Sequence, residues 1–283
     1  MNNIKLFSDS TCDLSIDILN KYDISIIPLY VVFNEKSFKD GVDIKTKELY
    51  NKVDELNALP KTSAPSPRDF YDAFKPFVER GDDIIYIGLS SELSSTIQNA
   101  KLAAEEFEDA NIHIIDSKNL SAGIGLLLLK ANDLIHLGMS SDKIVDEINN
   151  TIPMIRTSFI VDTFDFLYKG GRCNSIQSLV GGFFKVKPII KVSEGKIILG
   201  QKPRGKKKKA LDLVLSHILK NKNHIDLDRI IIGESISLED SLYLKNKLEK
   251  NNLFKEIILI EAGCVISSHC GKNTTGIYYI ENK

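Results

Sequence analysis

The sequence has little of what usually announces a metal, redox, membrane or nucleic-acid protein. Its four cysteines, Cys12, Cys173, Cys264 and Cys270, form no CxxC pair, so the signature of a structural zinc site or a dithiol redox centre is missing. No HxxxH or CxxC accompanies His269, and no GxSxG occurs, which leaves metal-dependent and serine hydrolases without support. The net charge of −1 over 283 residues gives no global field toward nucleic acid or a membrane surface. The longest apolar-rich run, Ala122 to Leu129, is too short to span a bilayer and continues into Lys130, Asn132 and Asp133. Asn2, Asn3 and Lys5 interrupt the opening residues where a secretory signal would be apolar. The expectation is a cytoplasmic protein with reduced thiols.

What is present fits an ordinary globular chain, 43% hydrophobic and 27% charged. Its length allows about two domains and a sizeable core. Ile4 to Phe7, Ile84 to Leu89 and Ile112 to Ile115 read as strands, each leading through a short polar cluster into a helix. Those helices run from Ser15 to Tyr22, from the Ser90 to Thr96 cluster to near Phe107, and through Gly123 and Gly125 to Leu137. Ile24 to Phe33 is a further strand in which Pro28 marks an edge or a break. Asp40-Gly41 is a turn before a helix from Lys47 to Leu56. Strands alternating with helices imply a parallel sheet, whose ligands bind outside the carboxyl ends of its strands. Asp9 with Ser10, Ser90 with Ser91, and Asp116 with Ser117 would line such a crevice, although helix capping explains Asp9 and Asp116 equally well.

The pattern changes after Pro153. Thr157 to Val161 reads as a strand, Phe164 to Tyr168 as a short helix, and Lys169-Gly170-Gly171-Arg172 as a turn that presents a cation. Ile189 to Val192 and Lys196 to Leu199 flank Ser193-Glu194-Gly195, a hairpin signal. Helices at Lys207 to Leu219 and Leu238 to Asn251, with strands at Ile230 to Gly233, Ile257 to Ile260 and Ile277 to Ile280, complete the chain. The expected fold is α/β, with an N-terminal parallel-sheet domain over 1–153 and a second α/β domain containing antiparallel strands over 154–283.

KTSAPSP, Lys61 to Pro67, is the densest local signal. Ser66 reads as a helix N-cap, Pro67 as the first helical residue and Asp69 as the third residue of a capping box. Phe70, Phe74, Phe77 and Val78 form one face of the helix, to about Arg80, with Pro76 kinking or shortening it. Thr62 and Ser63 are not needed for the cap. Two hydroxyls just before a helix start, in a segment stiffened by Pro65, suit an anion. Ser94 lies in a run richer in hydroxyls than one cap requires. His269 is expected in a polar loop, SSHCGKNTTG, between two strands, with Cys270 pointing to the opposite face.

Gly200, Gly205 and Lys206 fit GxxxxGK, but position 207 is Lys where a P-loop needs a hydroxyl for magnesium, so no Walker A site is read here. Lys202, Arg204 and Lys206 to Lys209 remain a basic patch in a neutral chain, either a solvated helix start or a docking surface for an anionic partner.

Taken together, DSTCDL (Asp9 to Leu14), KTSAPSP, SSELSSTIQNA (Ser90 to Ala100), YKGGR (Tyr168 to Arg172), GGFFKVKPII (Gly181 to Ile190) and SHCGKNTTG resemble the ordered motifs of the DegV family. These are bacterial fatty-acid-binding proteins that include the acyl-carrying subunit of fatty acid kinase. The sequence departs from the family pattern at Ser95, where glycine is usual, and at Gly271-Lys272-Asn273, where Gly-Pro-Gly is usual. The resemblance implies a carrier with no catalytic centre, metal or cofactor of its own, which holds a long-chain fatty acid as ligand and serves phospholipid synthesis. Thr62, Ser63, Ser94 and His269 would receive the carboxylate, and Arg172, Lys202 and Arg204 would face an ATP-dependent kinase subunit. Nucleic acid would not be a partner, and contact with a membrane would be transient. Neutral donors suit a carboxylate awaiting phosphorylation, because a tight cation would blunt its nucleophilicity. Phe183, Phe184 and the Ile124 to Leu129 run are equally candidates for tunnel wall and core. A phosphotransferase using the basic patch and a regulatory lipid sensor are the competing readings.

Overall fold

The computed structural model describes residues 2–173 and 186–282. The chain begins with β1 (Ile4–Asp9), α1 (Ile16–Lys21), β2 (Ile24–Ile27), β3 (Tyr30–Phe33), β4 (Lys36–Lys39), α2 (Thr46–Leu56), β5 (Lys61–Ser63) and α3 (Pro67–Val78). It continues with β6 (Asp83–Gly88), α4 (Thr96–Ala104), β7 (Ile112–Asp116), α5 (Ala122–His136) and α6 (Ser141–Thr151). Then come β8 (Ile155–Ile160), α7 (Asp165–Gly170), β9 (Ile189–Ser193), β10 (Lys196–Leu199) and α8 (Lys207–Lys220). The chain closes with β11 (Ile225–Ser235), α9 (Leu238–Asn251), β12 (Glu256–Glu261), α10 (Cys264–Cys270) and β13 (Thr274–Glu281).

Two α/β units result. The first holds a parallel sheet in the order β2-β1-β6-β7. Every residue of β6 is buried, as a central parallel strand requires. The second unit holds a mixed sheet in the order β10-β9-β8-β13-β11-β12, in which only the β11–β12 pairing is parallel among the described strands. α5 is apolar almost all round and packs in the main core, together with one face of each sheet. The opposite face of the mixed sheet buries its apolar residues with those of α8 and α9. α3 and α4 cover the parallel sheet with an aromatic cluster that includes Phe7, Phe70, Phe74 and Tyr86.

The architecture differs from the sequence-based reading in several places. Ile24 to Phe33 is not one strand: the chain breaks at Pro28, and β2 and β3 enter different sheets. Pro lacks the N–H a continuing ladder would use. β3 joins β4 and β5 in a small antiparallel sheet that the first unit was not expected to contain. Thr62 therefore lies on a strand. The capping box at Ser66 and Asp69 is formed, and α3 ends at Val78, with Pro76 in its last turn. α6 was not anticipated, although Ile144 and Ile148 are buried one turn apart on it. The expected polar loop around His269 is mostly helix, α10, followed by a turn at Asn273 with φ of +58°.

Candidate functional site

α10 is held at its start by two carboxylates from the first unit. Gly263 N–H donates to Asp13 Oδ1 at 2.8 Å, and Cys264 and Val265 N–H donate to the two Asp40 oxygens at 2.7 and 3.3 Å. Asp13 also accepts from the Ser121 hydroxyl. Both acids are buried, 6% and 2% exposed. Burial pushes both carboxyls above the ordinary range, and the charge of Asp40 adds to the rise at Asp13. Three N–H groups at the start of the helix are thus satisfied by side chains more than two hundred residues away in sequence.

One helix length away, His269 Nε2 lies 2.9 Å from Thr62 Oγ1. The strand alternation of β5 turns Thr62 inward between exposed Lys61 and Ser63. His269 Nδ1 is sealed from solvent without a hydrogen-bond partner among the described residues. The ring lies against Gly170 at the end of α7, where a Cβ would stand 2.4 Å from Nδ1. A glycine is therefore required at that contact. Burial, and then the nearby Arg172 charge, lower the imidazole pKa to about 4, so the ring is neutral at neutral pH.

Thr62 and His269 border a cleft of about 270 Å³ that also reaches Ser63, Ser94, Ser95 and Arg172. Ser94 Oγ lies 2.8 Å from Thr96 Oγ1 and accepts from Thr96 N–H at 3.4 Å, so it also caps the start of α4. Ser63 donates to the Ala64 carbonyl at 3.3 Å. Asn99 Nδ2 on α4 donates to the Pro65 carbonyl at 2.7 Å and ties the Ser94 segment to KTSAPSP. Below the cleft is a compartment of about 40 Å³ with walls that include Phe159, Leu167, Ile197 and Tyr278. Leu120, Ile197, Ile266 and His269 line both spaces. The arrangement can accept a molecule with a polar head and an apolar body.

The other expected residues are distributed differently. Arg172 borders the cleft, with Nη1 donating to Gly170 O at 2.8 Å and Nε to Leu93 O at 3.5 Å. Lys202 and Arg204 are exposed in the connection between β10 and α8. Lys207 leaves the basic patch and turns inward, pairing with Asp240 at 2.7 Å and donating to Ser237, Thr275 and the Asn273 carbonyl. Asp9 is buried and accepts from Thr11, Leu89 and Tyr86, while Asp116 accepts from Ser91 and Lys118 N–H groups. These strand-end carboxylates bind the chain to itself. Ile124 to Leu129 is core, and Phe183, Phe184 and the start of GGFFKVKPII lie outside the described residues. No helix among the described residues is long and apolar enough to cross a membrane. Asp13, Asp40 and Gly170 were not recognised as builders of the site; a glycine pair beside a lone arginine was the one local hint of Gly170.

A parallel-sheet unit and a mixed-sheet unit joined around a polar cleft and an apolar compartment define a two-unit α/β binding fold. The chain belongs to the DegV family: residues 3–282 match the family model described as "Uncharacterised protein, DegV family". It is 37% identical to a DegV domain-containing protein of Clostridium acetobutylicum, over 99% of each chain. Its structure is similar to that of a fatty-acid-binding DegV family protein from Thermus thermophilus, with a TM-score of 0.92 and 30% identity over 99% of each chain. It is also similar to a stearic-acid-binding protein from Eubacterium ventriosum, with a TM-score of 0.86 and 28% identity over 99% of this chain and 98% of that one.

Proposed function

We propose that this chain is a fatty-acid carrier that holds a long acyl chain in its apolar compartment and its carboxylate in the cleft, for phosphorylation by an ATP-dependent kinase subunit. The observation that carries this reading is the Thr62–His269 pair at the junction of the two spaces. The fatty-acid-binding relatives of the same fold support it.

In the neutral tautomer that carries its proton on Nε2, the ring donates to Thr62 Oγ1 and leaves the threonine hydroxyl proton for an incoming carboxylate. Ser94 offers a second hydroxyl in the same cleft. Hydroxyl donors fix the orientation of the head without the deep ground-state stabilisation of a buried ion pair. Arg172 is exposed at the mouth, where water screens its charge. It can meet the phosphate of a nucleotide or the negative charge that grows on the acyl phosphate. Each buried methylene adds about 0.8 kcal/mol, so the tail supplies most of the affinity. Lys202 and Arg204, exposed beyond β10, are the docking cations in this reading.

The test is native mass spectrometry of the protein purified from a bacterial host, followed by denaturing extraction. One fatty acid per chain is expected, with reduced occupancy in Thr62→Ala with Ser94→Ala. A chain that stays empty after incubation with saturated and unsaturated fatty acids overturns the carrier reading. Acyl phosphate formed by a purified kinase subunit only when the loaded carrier is present would test the second half of the proposal.

A further inference from the structure

Two glycines face each other across the mixed sheet, Gly233 on β11 and Gly276 on β13. Glycine weakens a strand interior and calls for a reason. The reason here is one side chain. A Cβ on Gly276 would stand 2.6 Å from Tyr278 Oη and 2.8 Å from its Cε2, and a Cβ on Gly233 would stand 3.2 Å from that same Cε2. Tyr278 is two residues along from Gly276, so it projects from the same face of β13. Its ring lies down over both glycines, 4% exposed.

All three residues line the apolar compartment. That compartment is narrow, with about 40 Å³ open to the centre of a water-sized sphere. The position of each lining side chain therefore decides how much of an acyl chain it accepts. Tyr278 is large, and its ring covers the bare backbone of both glycines. Phe159, directly opposite Gly276 on β8, bounds the row on its other side.

We infer that Tyr278 is the tail stop of the acyl compartment, a specificity-determining residue that sets how long a fatty acid the carrier takes. The inference rests on the fatty-acid reading above. A ring lying on the glycines closes the floor and favours shorter chains. A smaller residue at 278 uncovers the trough and admits longer ones. A side chain added under the ring lifts it into the compartment and has the opposite effect.

The experiment loads wild type and variants with an equimolar mixture of saturated fatty acids of graded length and reads the bound set by mass spectrometry after denaturing extraction. Tyr278→Leu is expected to shift the ratio of long to short chains upward by about tenfold or more, within the range one or two methylenes command in an apolar pocket. Gly276→Ala should shift it downward, and Gly233→Ala, whose contact is milder, downward by less. Tyr278→Phe keeps the ring and should match wild type. A thermal melt on each variant identifies any that fails to fold, and the opposite-signed pair keeps the test decisive if one is lost. Loaded variants that all share the wild-type profile overturn the tail stop alone. A wild type that takes up no fatty acid overturns the carrier reading, and the tail stop falls with it.

Discussion

The two ends of α10 are built on opposite principles. At the start, Asp13 and Asp40 accept three backbone N–H groups. At the other end, His269 shares one nitrogen with Thr62 and keeps the other buried without a partner among the described residues. Buried polar groups in folded proteins are ordinarily paired, so the satisfied cluster marks a fixed point, whereas at the other end the ring meets Thr62 through Nε2 alone. The same short helix is thus clamped at one end and borders the cleft at the other.

The contrast is open to attack from either side. Asp40→Ala should produce the largest effect, about 1–3 kcal/mol of stability for each of the two N–H groups left without an acceptor. Denaturant unfolding measures it, and a loss below about 1 kcal/mol would show that the anchor is nominal. Gly170→Ala drives a Cβ into the His269 ring. It should weaken fatty-acid binding by roughly tenfold, equivalent to about 1.4 kcal/mol, with a smaller change in stability. Calorimetric titration showing unchanged affinity would mean that the ring's seat is irrelevant to binding. Thr62→Val preserves shape and removes the hydroxyl, so affinity should fall about fivefold, the worth of one hydrogen bond near 1 kcal/mol. If stability fell and affinity did not, Thr62 would belong with the anchor.

The smallest effect is a pH slope. His269 is held near 4, below its ordinary 6.5, so as pH drops through that window the unfolded chain takes up a proton that the folded chain refuses. The contribution of the neutral ring is complete above about 6.5 and is lost as pH falls toward 4. Asp13 and Asp40 have the opposite sign. Their raised carboxyls let the folded chain hold protons that the unfolded chain has released, so their stabilising contribution fades as pH rises. His269→Gln should therefore make melting temperature rise more, or fall less, on acidification from 6.5. An unchanged pH profile would contradict a buried neutral ring.

Much of this was legible in local pattern. The cap at Ser66, the hairpin at Ser193 to Gly195 and the helix from Leu238 to Asn251 follow from turn chemistry and apolar spacing, and all three are formed. α10 escaped because its buried face is made mostly of small residues, Cys264, Ser267, Ser268 and Cys270, with Val265 as its one large apolar member. Small polar side chains let a helix approach closely but give no hydrophobic period to read. β4 and β5 escaped for a related reason: KSFK and KTS are charged or polar, and only backbone pairing makes them strands. Thr62, Ser63 and Ser94 stand out locally as hydroxyls beyond what capping needs, whereas a binding role for His269 follows only from the family motifs. What brings them together, a contact spanning 207 positions between Thr62 and His269 and acid clamps from residues 13 and 40, is tertiary and leaves no trace in spacing.

The place of β13 in its sheet has a consequence for biosynthesis. This strand follows all the others in chain order, yet it lies between β8 and β11, and it carries Gly276 and Tyr278. While the polypeptide grows from its amino end, β8 with its hairpin and β11 with β12 emerge as two halves that have no shared ladder until Thr274 to Glu281 is released. A ribosome-stalled chain ending before Thr274 should therefore be cut by protease within the second unit while the first resists, and equal resistance of both would refute this. On the fatty-acid reading proposed above, lipid capture would be deferred until this strand has been translated.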